Sequence, residues 1–160
     1  MILVWIDFIN AYNWSQIEAT LKSNAFVDNI CIVADGIVNG IVALVIPNLR
    51  AIHELATKRF GLTESTSLYE ICINKSLVEF VHGSIVETGF EQGLKAIELP
   101  SLVTLCHELW SPDNNLLTAA MKLKRANIMH RHASDIEQMF SVLRQDPSKI
   151  RVKRWKQTSG

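Results

Sequence analysis

The sequence has no CxxC pair, and its three cysteines, Cys31, Cys72 and Cys106, stand far apart in apolar settings. An odd number so placed offers neither a disulfide framework nor a zinc ribbon, and buried free thiols in a reducing compartment are expected. It also lacks GxSxG, P-loop and GxGxxG motifs, so serine hydrolase, P-loop NTPase and dinucleotide-binding chemistry have no local support. Glycine and proline are scarce, at 7 and 4 of 160 residues, and no repeat or linker interrupts the chain. That composition excludes a collagenous, low-complexity or disordered protein. No basic stretch precedes the apolar run at the N-terminus, and Asp7 interrupts that run, so a signal peptide is not expected. The most apolar stretch, Ile30 to Pro47, carries Asp35, Asn39 and two glycines and is not a clean membrane span. A cytoplasmic protein of one domain, residues 1–160, with no membrane contact, is the expectation.

What is present begins with an asymmetry of charge. Residues 1–121 hold 13 acids and 6 bases, whereas residues 122–160 hold 3 acids and 10 bases. Such segregation predicts a basic C-terminal segment suited to a polyanion or an acidic partner. Lys122, Lys124, Arg125, Arg131 and the run Arg151 to Lys156 are expected to share one face, with a solvated basic tail as the plainer account.

Two continuous apolar runs, Ile2 to Ile9 and Ile41 to Ile46, read as strands buried on both faces, as in a parallel sheet covered by helices. Helices are expected over Gln16 to Leu21, Val27 to Asp35, Leu49 to Gly61, residues 65–81 and Pro100 to Trp110. Two more are expected from Asp113 to Leu123 and, behind a Ser134/Glu137 capping box, to Leu143. Leu94 to Leu99, Ala126 to His130 and Ile150 to Trp155 complete the strands. Alternating elements of this kind predict a single α/β domain with a central, mostly parallel sheet. In it Ile2 to Asp7 is expected between Ile41 to Ile46 and Ala126 to His130.

Asp7 stands out because a carboxylate in a doubly buried strand is costly unless it is hydrogen-bonded, paired or bound to metal. Glu54, Asp113 and Asp135 each have a plain alternative: an i, i+4 pair with Lys58, an N-cap, and a first-turn acid. Together the four acids fall just after strands or near the helices that follow them. Such a cluster would repel itself unless Mg²⁺ or Mn²⁺ neutralised it, and it would suit metal-assisted phosphodiester hydrolysis.

Several segments resemble the PIN-domain family of small metal-dependent nucleases, which includes the VapC-type toxins. The strand ending in Asp7, the stretch Asp35 to Leu62 with Glu54-Leu55, PDNNLLTAAMKL (Pro112 to Leu123) and IMHRHASDI (Ile128 to Ile136) carry the likeness. The resemblance implies a metal-dependent ribonuclease, the toxin of a toxin–antitoxin pair, with an RNA substrate, a small antitoxin partner and a homodimeric state. Asp7, Glu54, Asp113, Asn115 and Asp135 would hold Mg²⁺ or Mn²⁺, and Arg131, Lys124, Arg125, Arg151 and Arg154 would hold the RNA. Aligning Ala119-Ala120 with the family's paired alanines puts Asn115 at the third acidic position, and His130 and His132 stand where the family has Thr and Asn or Asp. These departures favour a second reading, a PIN-like domain without catalysis that binds RNA or a protein partner. A third is an unrelated α/β domain whose acids are caps and salt bridges.

Overall fold

The computed structural model describes residues 13–154. Its first helix, α1 (Trp14–Leu21), starts where Asn13 accepts a hydrogen bond from the Gln16 amide. A three-stranded sheet follows in the order β1-β2-β3, from Val27–Val33, Val42–Pro47 and Leu102–Leu105. β1 and β2 are antiparallel, with Cys31 opposite Leu44, while β2 and β3 are parallel, with Val42 opposite Leu102. A parallel return needs a crossover. Here it runs through α2 (Leu49–Phe60), α3 (Leu68–Cys72) and α4 (Lys75–Glu91). After β3 come a hairpin-like segment, α5 (Arg125–Arg131) and α6 (Ala133–Gln145). No helix among the described residues is long and apolar enough to cross a membrane.

The two faces of the sheet bury different layers. Ile30, Ile32, Ala43, Val45, Val103 and Leu105 pack against Ile17 and Leu21 of α1, Ile52 of α2, and Leu77, Val81 and Ile85 of α4. Cys31, Val33, Val42, Leu44 and Ile46 pack against Trp110, Leu116, Leu117, Ile128, Met139, Phe140 and Leu143. β2 is therefore apolar at every position because both its faces are covered.

The α/β class holds, but the arrangement differs from the expected one. One strand pairing of two is antiparallel, and β2 is paired on both edges by β1 and β3, which leaves no edge for another neighbour. Ile2 to Ile9 lies outside the described residues. Val27 to Val33 is a strand rather than a helix, and a short apolar run is open to either reading by periodicity alone. Leu102 to Leu105 is β3, where a helix from Pro100 was expected. Ala126 to His130 is helical within α5, which buries Ile128 alone. Leu94 to Leu99 forms only a short 3₁₀ turn, Ala96–Glu98, and no strand occurs in the described part of Ile150 to Trp155. The helix from Asp113 is absent because Asn115 and Met121 take left-handed backbone angles, each with φ 63°. The expected capping box is unmade: α6 follows His132, and Glu137 pairs with Arg144.

Candidate functional site: a clamped cationic hairpin

Between β3 and α5 the chain builds a loop from short-range bonds. The Ser111 amide donates to the Asn114 side chain at 3.0 Å, and that side chain's own NH₂ donates to the Leu109 carbonyl at 2.8 Å. Leu117 and Leu123 then face each other across an antiparallel bridge. The Thr118 amide donates to the Lys122 carbonyl at 2.8 Å, and the Lys124 amide to Leu116 at 3.0 Å. Leu116 and Leu117 anchor the loop in the core, while Ala119, Ala120, Met121 and Lys122 are exposed at its tip.

Three cations leave this hairpin, and two are already used. Lys124 bonds Asn115, and Arg125 is held by Glu18. Lys122 is exposed, and its ammonium has no ion pair or hydrogen bond with the other described residues. It is the cation on offer.

A side-chain bond holds each end of the segment. At the entry, the Trp110 indole N–H donates to His132 Nε2 at 3.1 Å, and His132 Nδ1 lies 3.3 Å from Asp135. Nε2 must then be an acceptor, so the ring carries its proton on Nδ1, facing the carboxylate. At the exit, Arg125 reaches Glu18 in a fork: Nη2 to Oε1 at 2.7 Å and Nη1 to Oε2 at 3.0 Å. Nη1 also donates to the Ile32 carbonyl at 3.0 Å, and the Ile32 amide donates to Glu18 at 2.7 Å. Among the described residues β1 is an edge strand, and the ion pair satisfies its outward backbone groups at Ile32. Glu18 is only 5% exposed, so three elements meet on a buried, bidentate, charge-assisted contact. The Glu18 bond raises the Arg125 pKa further. Cys31 lies 3.4 Å from Arg125, yet burial outweighs that positive charge and pushes the thiol up to about 12, so it is inert.

The acids selected from the sequence are not gathered here. Asp7 lies outside the described residues. Glu54 is half exposed and paired with Lys58 at 2.5 Å, which lowers its pKa. Asp113 is exposed in a turn, Asn115 holds Lys124, and Asp135 faces His132. Among the described residues no three His, Cys, Asp or Glu side chains converge as metal ligands. Of the basic residues, Arg131 is bonded to Glu108 and Arg154 to Glu87, while Arg151 lines a groove with Arg59, Lys149 and Lys153. Glu18 was missed. Its local signal is faint, an acid between the buried Ile17 and Leu21, and its partner is 107 residues away.

Comparison with known proteins decides against a nuclease. No protein-family model matches the chain. It is 31% identical to Long-chain-fatty-acid–CoA ligase 1 of Schizosaccharomyces pombe over 126 residues, 79% of this chain and 19% of the ligase. It is 33% identical to Long chain acyl-CoA synthetase 8 of Arabidopsis thaliana over 126 residues, 79% of this chain and 17% of that protein. The chain thus spans about a fifth of the length of these curated relatives. Among solved structures, the A domain of carboxylic acid reductase from Segniliparus rugosus, in complex with AMP and a co-purified carboxylic acid, superposes with a TM-score of 0.67. That likeness, at 20% identity, covers 82% of this chain and 18% of that one, and it shows the fold. The chain shares the fold of a part of that A domain.

The PIN resemblance is corrected by these relatives, and the ribonuclease, its toxin role and the non-catalytic PIN alternative fall with it. So do the RNA substrate and the antitoxin it implied. PDNNLLTAAMKL misled because Leu116, Leu117, Ala120 and Leu123 fall at helical spacing, whereas Asn115 and Met121 fold it into the hairpin.

Proposed function

We propose that this chain is a working portion of a ligase that joins a long-chain fatty acid to coenzyme A, and that Lys122 is its cation for the reactants. The observation that supports this most is the shared naming of relatives from fission yeast, plant and budding yeast, at 30–33% identity over about four fifths of the chain. Residues 1–160 are taken as one domain of that ligase, and the free, buried thiols suit a cytoplasmic setting.

The chemistry gives the hairpin a task. A carboxylate does not acylate a thiol until its oxygen becomes part of a better leaving group. With ATP, the carboxylate oxygen attacks the α-phosphorus, pyrophosphate departs, and an acyl adenylate forms. The thiol sulfur of coenzyme A then attacks the carbonyl carbon, its proton is lost to solvent, and AMP leaves. Negative charge gathers near the transferring phosphoryl and carboxyl oxygens in both steps, and a positioned ammonium stabilises it. Lys122 offers that ammonium, on a backbone held by its own hairpin bonds. Mg²⁺ is expected to accompany ATP, and among the described residues no three His, Cys, Asp or Glu side chains converge to hold it.

The test replaces the matched segment of the Schizosaccharomyces pombe ligase with this chain and measures fatty acyl-CoA formation. Retained activity that falls about 100-fold in Lys122→Ala supports the reading. A folded hybrid that forms no acyl-CoA overturns it.

A further inference from the structure

We infer that Glu18 and Arg125 are positioning residues for Lys122, fixing where the hairpin tip stands; this rests on the reading of Lys122 given above. A two-stranded hairpin is marginal in isolation, so its placement depends on what holds its ends. Arg125 lies three residues from Lys122 and two after Leu123, which bridges to Leu117. Its guanidinium is gripped on one side by both Glu18 oxygens and by the Ile32 carbonyl, and Glu18 in turn holds the Ile32 amide. Three bonds from Arg125 therefore tie the hairpin's exit to α1 and β1, and a fourth joins β1 to α1. The planar fork matters as much as the charge, because a lysine at position 125 would keep the charge and lose the bidentate grip. The pair touches no reactant in this account. It acts through Lys122, whose displacement by about 1 Å is enough to cost up to about 100-fold in rate.

The experiment is a double-substitution cycle in the ligase hybrid, with Arg125→Lys and Glu18→Gln each made alone and with Lys122→Ala. Each single substitution is expected to lower kcat roughly 10- to 100-fold with little change in KM for the fatty acid. In the Lys122→Ala background the same substitution should cost less than about twofold, because the group being positioned is gone. An equal loss in both backgrounds overturns the proposal and leaves the pair a structural one. Hydrogen exchange on the full 160-residue chain supplies a second readout that needs no activity. Arg125→Lys should speed exchange at the Thr118 and Lys124 amides while the α4 amides stay protected. Unchanged exchange at those two amides overturns the proposal even if one variant of the hybrid fails to fold. If Lys122→Ala alone leaves the rate unchanged, the function reading fails, while the exchange result still reports whether the clamp holds the hairpin.

Discussion

Glu18 and Glu54 sit on amphipathic helices, α1 and α2, and both bond a basic side chain, but their surroundings have opposite consequences. Glu54 faces water, meets Lys58 one turn along its own helix, and ties nothing to anything else. Glu18 is buried, meets Arg125 from a distant part of the chain, and satisfies the edge of a strand as well. Exposed pairs contribute little because solvent screens them and two flexible side chains must be ordered. A buried pair is different: removing one partner strands the other charge. An acid's weight in this protein follows from burial and from how many elements its partners belong to, and its place after a strand says little.

The largest expected effect tests the buried side of that contrast. Glu18→Ala strands Arg125 and leaves the Ile32 amide without its acceptor, and should cost about 3 kcal/mol, the low end for a broken buried pair because Arg125 keeps some solvent. Urea unfolding of the chain measures it, and a loss indistinguishable from zero would break the comparison. Next in size is the other end of the hairpin. His132→Phe removes the acceptor for the buried Trp110 indole, with an expected cost of about 1–3 kcal/mol and a change in Trp fluorescence.

A pH titration sharpens the contrast for histidine. His82 is buried, its Nε2 lies 2.7 Å from the Pro100 carbonyl, and burial depresses its pKa below the ordinary 6.5. The unfolded chain takes up the proton first, so stability should fall as pH drops through about 6.5 and level off below the depressed folded value. His82→Gln should remove that part of the slope. The smallest expected effect is Glu54→Gln, which should leave the unfolding midpoint unchanged within error. A clear loss there would erase the difference between the two acids.

Much of the scaffold was legible. Ile41 to Ile46 reads as a doubly covered strand because it is one, and α2 carries its own punctuation. Asn48 accepts from the Ala51 amide at its start, and Gly61, with φ 64°, closes it in the left-handed conformation. The rest was less so because its determinants are not local. Val27 to Val33 becomes a strand by pairing with β2, and Leu102 to Leu105 by taking β2's other edge after a long crossover. The site was harder still. Lys122 was visible only as one member of a basic segment, and what singles it out is that its neighbours' charges are consumed by Asn115 and Glu18. Glu18 has no sequence neighbour that reveals its partner.

On the proposed function, Lys122 meets the reactants, while Lys124 and Arg125, the other cations leaving the hairpin, serve the structure. The most direct measurement compares fatty acyl-CoA formation by Lys122→Ala and Lys124→Ala in the ligase hybrid. The expected loss is about 100-fold for Lys122→Ala and less than about 10-fold for Lys124→Ala. Equal losses, or a larger loss from Lys124→Ala, would contradict it.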